Sequence, residues 1–123
     1  MSADPYNSEV RRFFSETPHA GDVSGGAIAY FDDQGMRIRL SARVVNGALA
    51  ELRFRAWACP HVIAAAESFC QQFEGRPVGE LEQFETGQIM KDLAVPVEKT
   101  GRILVLEDTV RSLRAAISDR IAT

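Results

Sequence analysis

Cysteine is scarce in this chain of 123 residues: only Cys59 and Cys70 are present, too few for a disulfide framework. They point to a free thiol rather than a cross-linked scaffold. Histidine is limited to His19 and His61, and neither completes an HxxxH or CxxC spacing of the kind that builds a metal site. Trp57 is the single tryptophan, and Lys91 and Lys99 are the only lysines among 14 basic residues. No apolar run approaches the roughly 18–20 residues needed to cross a bilayer. The opening Met1-Ser2-Ala3-Asp4-Pro5 has neither a basic nor an apolar leader region, which gives the expectation of a cytoplasmic protein. There is no glycine-rich phosphate loop, nucleophile elbow or pair of catalytic carboxylates, so nothing signals an enzyme. With 17 acidic against 14 basic residues, a net charge of −3, bulk electrostatic binding to nucleic acid is excluded.

What is present suits one globular domain over residues 1–123, with 46% hydrophobic and 25% charged residues. Asp4 as cap and Pro5 in the first turn predict a short helix whose apolar face is Tyr6, Val10, Phe13 and Phe14. A glycine-rich connection follows, then a strand over 27–31 and turn chemistry over 32–35. Met36, Ile38, Leu40, Ala42 and Val44 alternate with Arg37, Arg39, Ser41 and Arg43, the period of a half-buried strand. Asn46-Gly47 is a hairpin signal. Beyond it Ala50, Leu52, Phe54 and Ala56 alternate with Glu51, Arg53, Arg55 and Trp57. From Pro60 the period becomes helical: a helix over 62–73 stopped by Gly75, short helices over 78–84 and 87–93 with Thr86 capping the second, and a last helix over 102–121. The fold class is therefore α+β: an N-terminal helix, a three-stranded antiparallel sheet, then helices packed on one face. Met36, Ile38, Leu40, Leu52, Phe54, Val62, Ile63, Phe69, Val110, Leu113 and Ile117 are the expected core.

Cys59 is the most informative residue, because it stands between a strand and the helix that begins at Pro60. A thiol there meets the helix dipole and unpaired N–H groups, which favour the thiolate. The competing reading is a small residue at a tight corner. Cys70 lies eleven residues further, about three helical turns, so the two thiols cannot share one metal ion; between Phe69 and Phe73 it reads as core. Arg37, Arg39, Arg43, Arg53 and Arg55 share the polar sheet face. They form either a docking patch or a solvated face whose stems cover the pleat. Asp32-Asp33 reads as a turn and Glu107-Asp108 as surface charge.

The order of elements, with a cysteine at the strand–helix junction, resembles the IscU/NifU N-terminal type of iron–sulfur cluster scaffold. YNSEVRRFFSETPHAG, residues 6–21, is similar to that family's opening helix and Pro-x-x-x-Gly stretch. FRAWACPHVIAAAES, residues 54–68, is similar to its G-C-x-x-A-I-A-S-S-S signature. EGRP at 74–77 resembles its G-K turn, and LAVPVEK at 93–99 resembles the L-P-P-V-K stretch recognised by its Hsp70-type chaperone. LED at 106–108 and AAI at 115–117 then fall in register with the terminal helix.

The family's function rests on three cysteines with a His and an Asp nearby. Carried over, only Cys59 meets a cysteine; the first cysteine position falls at Asp33, and the His-Cys pair becomes Gly101-Arg102. The Asp falls near Gly35, with Asp32 and Asp33 beside it. A two-iron, two-sulfur cluster takes four protein ligands, and arginine, always cationic, ligates neither iron nor zinc. The resemblance thus implies a non-enzymatic accessory or degenerate member of cluster assembly, with Cys59 (weakly joined by Asp33) as persulfide acceptor or lone metal ligand and Arg102, Lys99 and His61 nearby. Iron, zinc or a cluster shared between subunits of a homodimer is the implied cofactor, and an intact cluster site on one monomer is not expected. The implied partners are a cysteine desulfurase and an Hsp70-type chaperone, not membrane or nucleic acid, with Val95, Pro96, Val97, Glu98 and Lys99 and the arginines Arg37, Arg39, Arg53 and Arg55 as contacts. The alternative is an interaction module that keeps the fold and binds no cluster.

Overall fold

The computed structural model describes residues 6–122. The first helix, α1, spans Ser8–Ser15, and its cap is Asn7, whose side chain accepts the Val10 N–H at 2.9 Å. The expected cap and first turn, Asp4 and Pro5, lie outside the described residues. Val10 and Phe13 are buried while Phe14 is 47% exposed, so the apolar face is narrower than its sequence suggested.

Three strands, β1 (Ala27–Asp33), β2 (Met36–Val45) and β3 (Ala48–Trp57), form an antiparallel sheet in the order β1-β2-β3. Both hairpins close with two residues at positive φ, Gln34-Gly35 and Asn46-Gly47, the geometry that matches strand twist. Asp32 and Asp33, expected in a turn, instead pair with Arg37 and Met36 as the end of β1; a left-handed Gln34 lets two residues do the work of four. A register shift beside Arg43 pairs Glu51 with Arg43 and Leu49 with Val44. The extra residue is Ala50, so Leu49 rather than Ala50 is fully buried.

After the sheet come α2 (Pro60–Phe73), a 3-10 helix (Val78–Gln83), α3 (Thr86–Asp92), a 3-10 turn (Val97–Lys99) and α4 (Thr100–Ala122). Thr86 is the first residue of α3 rather than its cap; Glu85 caps without a side-chain bond, and Thr86 Oγ1 donates to Glu107 Oε2 at 3.4 Å. Helix α4 packs on β1 and β2, α2 on β3, and α1 on α2. The helices thus cover one face of the sheet. Every expected core residue is buried except Ile63, which is half-buried at the rim. Among the described residues no helix is long and apolar enough to cross a membrane.

The other sheet face is partly roofed by the segment leading into β1. His19–Gly21 runs beside Phe54, with the Gly21 N–H on Phe54 O at 2.8 Å and the Phe54 N–H on His19 O at 2.9 Å. Val23 then donates to Ser41 Oγ at 2.9 Å. This explains why Ser41, on the polar side of the alternation, is buried.

Candidate functional site

Cys59 is the N-cap of α2, extended at φ −72° and ψ 162°, and its carbonyl accepts the N–H groups of Val62 and Ile63. The thiol makes no capping bond and the first turn of α2 carries no acidic residue. Pro60 at the next position has no N–H to satisfy. Cys59, a half-buried free cysteine, therefore stands at the positive end of a 14-residue helix whose first turn has no carboxylate.

Two contacts gather other elements at this end of the sheet. Gln34 Nε2 donates to Gly101 O at 3.3 Å, joining the β1–β2 turn to the start of α4. A Cβ at Gly101 would stand 3.4 Å from Gln34 Oε1, an ordinary van der Waals contact. Lys99 Nζ lies 3.2 Å from His61 Nδ1, joining the approach to α4 with the first turn of α2. His61 is fully buried, against Tyr6 at 4.8 Å between ring centroids. Burial first, and the Lys99 charge second, hold its pKa below the ordinary histidine value. The ammonium must donate, so Nδ1 accepts and the ring proton sits on Nε2, which has no hydrogen-bond partner among the described residues.

Asp33 is exposed and accepts the Gln34 N–H at 2.9 Å, while Arg102 is exposed in the first turn of α4. Among the described residues no group of three or more His, Cys, Asp or Glu is placed to hold a metal ion. Cys70 is a core residue: burial first, then Glu67 and Glu74, push its thiol well above the ordinary cysteine pKa, with Arg53 opposing.

The arginine face is real, but its charges are largely answered. Arg37 pairs with Asp32 at 3.6 Å, Arg43 with Glu51 at 2.7 Å and Arg53 with Glu74 at 2.7 Å. Asp22 serves both Arg39, at 3.4 Å, and Arg55, at 2.6 Å. The register puts Tyr30, Arg39 and Arg55 in one row and Asp32, Arg37 and Trp57 in the next. Trp57 is 76% exposed and Tyr30 53%. Tyr30 was missed in the sequence because β1 is apolar almost throughout, which hides its alternation. The 95–99 segment turns its ends inward: Val95 packs against the core and Lys99 against His61, while Val97 is 82% exposed with Glu98 beside it.

A second polar cluster lies away from Cys59. His19 Nδ1 is 2.6 Å from Glu67 Oε2, and Nε2 is 3.0 Å from Glu74 Oε1. Glu67, fully buried, also accepts the His19 N–H at 3.0 Å and the Gln71 amide at 3.1 Å. Burial pushes the Glu74 carboxyl up, but hydrogen bonds from Leu52, His19 and Arg53 carry it to a net value below the usual glutamate range.

No family model matches the chain. It is 26% identical over 110 residues to the iron–sulfur cluster assembly scaffold protein IscU of Azotobacter vinelandii, covering 89% of this chain and 81% of that one. Its fold matches the N-terminal part of a nitrogen-fixing NifU-like protein from Brucella abortus, with a TM-score of 0.75 at 15% identity over 92% of this chain and 94% of the other. The chain is thus similar to the IscU/NifU N-terminal scaffolds at low identity and shares their fold. A protein described as a cluster assembly scaffold for the SUF system of Fervidobacterium islandicum shares the fold, with a TM-score of 0.71 at 12% identity over 86% and 93% of the two chains. Within the IscU/NifU frame, the site here offers one thiol where the family pattern has three.

Proposed function

We propose that the protein acts in iron–sulfur cluster assembly as an accessory, IscU-like member that accepts sulfur on Cys59. The observation that carries this is the free Cys59 at the N-terminus of α2, whose first turn has no acidic residue. In the transfer, the Cys59 thiolate attacks the outer sulfur of a donor persulfide. The Cys59–sulfur bond forms, the donor S–S bond breaks, and the donor leaves as a thiolate; no outside oxidant or reductant is consumed. The donor is a cysteine desulfurase, which meets Arg37, Arg39, Arg53 and Arg55, and an Hsp70-type chaperone takes the Val95–Lys99 segment with Pro96, Val97 and Glu98. The protein is the carrier rather than the enzyme, and the cytoplasm is where it works. Cys59 with Asp33 offers at most two ligands to iron or zinc, so a metal or cluster would be completed by a second copy. Arg102, where the family pattern has a ligand, cannot bind metal.

A second reading, a docking module that carries no sulfur, is favoured by the exposure of Trp57 and Val97. Anaerobic incubation with a cysteine desulfurase and cysteine, read by intact-protein mass spectrometry, separates the two. Addition of one sulfur atom that is lost in Cys59→Ser supports the carrier. Unmodified protein that still binds the desulfurase supports the module.

A further inference from the structure

The two edges of the sheet differ. The outer edge of β3 is covered: Phe54 donates to His19 O and accepts from the Gly21 N–H, the Leu52 N–H is on Glu74 Oε2 at 2.9 Å, and Ala48 bridges to Pro77. Strand β1 forms the other edge, and among the described residues no strand or bridge pairs its outer side. Natural sheets blunt such an edge with lysine, proline or a bulge. Ala27–Asp33, AIAYFDD, contains neither residue and pairs with β2 without a register shift. Its charge is confined to Asp32 and Asp33 at one end.

The register fixes which backbone groups of β1 face outward. Phe54 turns its N–H and C=O away from β2, so Leu40 opposite it turns its own toward β1 and bonds Ala29. Alternation then leaves Ile28, Tyr30 and Asp32 with outward N–H and C=O groups. The same three residues carry their side chains on the face away from the helices, where Ile28 is 45% and Tyr30 53% exposed. Asp33 has the parity of the buried Ala27 and Ala29 and lies on the helix side, the side of α4. At the opposite end of β1, Arg120 in the last turn of α4 donates to Gly25 O at 2.8 Å. The edge thus runs from a guanidinium, past two apolar side chains, to a pair of carboxylates.

We infer that the β1 edge binds a second copy of this chain, β1 against β1, antiparallel, with Ile28 opposite Tyr30 of the second copy. The two-fold axis passes beside Ala29, and one pairing generates its twin, as an isologous contact requires. Ile28 and Tyr30 exchange their outward N–H and C=O bonds across the axis and pack their side chains together on the exposed face. The same register brings the second copy's Asp33 beside Gly25, where Arg120 stands on the same side of the sheet. Each end of the contact thereby joins opposite charges, whereas a parallel pairing would set acid against acid. The two sheets become one continuous sheet, and both open edges are consumed. Cys59 follows β3 at the Asp33 end of the sheet, so the two thiols stand at opposite ends of the pair. Each stays open to a donor, and a cluster shared between copies takes a different contact from this one.

Sedimentation velocity on the full chain over a wide range of concentration reads the oligomeric state, and amide hydrogen exchange by NMR reads the edge. The expected result is a reversible dimer in which the Ile28 and Tyr30 amides gain protection on association, while those of Leu52 and Phe54, already bonded, do not change. Tyr30→Pro removes an outward N–H and leaves the ladder to β2 intact. Each copy then loses one hydrogen bond, and the dissociation constant is expected to rise about tenfold or more. Ile28→Lys, which puts a charge on the exposed edge, weakens the dimer in the same way if the first variant fails to fold. Asp33→Arg is expected to weaken it too, and Arg120→Asp in the same chain to restore it. A monomer at every concentration, a dimer indifferent to the folded edge variants, protection arising on β3 instead, or a double variant that is not restored overturns the proposal. No sulfur donor takes part, so failure here leaves sulfur transfer to Cys59 standing.

Discussion

The ammonium of Lys99 lies 3.2 Å from Nδ1 of His61, and this contact locks the approach to α4 against the turn that Cys59 caps. His61 accepts that bond only while neutral. Burial, and next the Lys99 charge, hold its pKa below the ordinary histidine value, so the unfolded chain takes up the proton first. Stability is then complete above the unfolded value of about 6.5 and declines as pH falls below it. Glu74, held below the usual glutamate range, adds a loss in the same direction at lower pH, below about 4.3. Urea midpoints are expected to fall between pH 7 and pH 5, and His61→Phe to flatten that fall. An unchanged slope in His61→Phe would show that another group titrates.

Leu113 is fully buried on the stripe of α4 that faces the sheet. Leu113→Ala is expected to cost about 2–5 kcal/mol, through lost transfer energy and the cavity left behind. A loss below about 1 kcal/mol by urea denaturation would mean that the site collapses or that the stripe does not bear on the core.

The two thiols should separate cleanly. Cys70 is buried with its thiol pushed up by that burial, whereas Cys59 is half-buried and makes no capping bond. Iodoacetamide at neutral pH, read by peptide mass spectrometry, is expected to modify Cys59 in the native protein and Cys70 only after unfolding. Arg102→Ala, made in Cys70→Ser protein, is expected to slow the Cys59 reaction. An equal rate removes Arg102 from the account of the thiolate.

Exposed ion pairs on the sheet contribute little to stability, typically about 0–1 kcal/mol. Arg39→Ala is therefore expected to leave the urea midpoint nearly unchanged while weakening desulfurase binding, measured by titration calorimetry. Loss of stability without loss of binding would make the face structural.

Period and turn chemistry made most of this fold legible. The alternation in β2, Asn46-Gly47 and the α4 stripe all stand where their residues put them. The errors came where a single residue changed the count. Ala50 at the register shift moved Leu49 into the core, and a left-handed Gln34 shortened a turn. At the site, Cys59 was legible from its place between strand and helix. The Lys99–His61 lock and the His19 cluster were not, because each joins residues far apart in sequence (Lys99 and His61 by 38 positions, His19 and Glu67 by 48), and no local pattern announces such a contact.

The central claim is that one thiol carries sulfur here, and that the chain by itself does not hold a cluster. Anaerobic reconstitution of the full chain with ferrous iron, a desulfurase and cysteine, followed by desalting, tests it most directly. The account predicts sulfane sulfur on Cys59 at one atom per chain, absent from Cys59→Ser, and a colourless protein or a chromophore at one cluster per two chains. A persistent visible chromophore at one two-iron cluster per chain would contradict it.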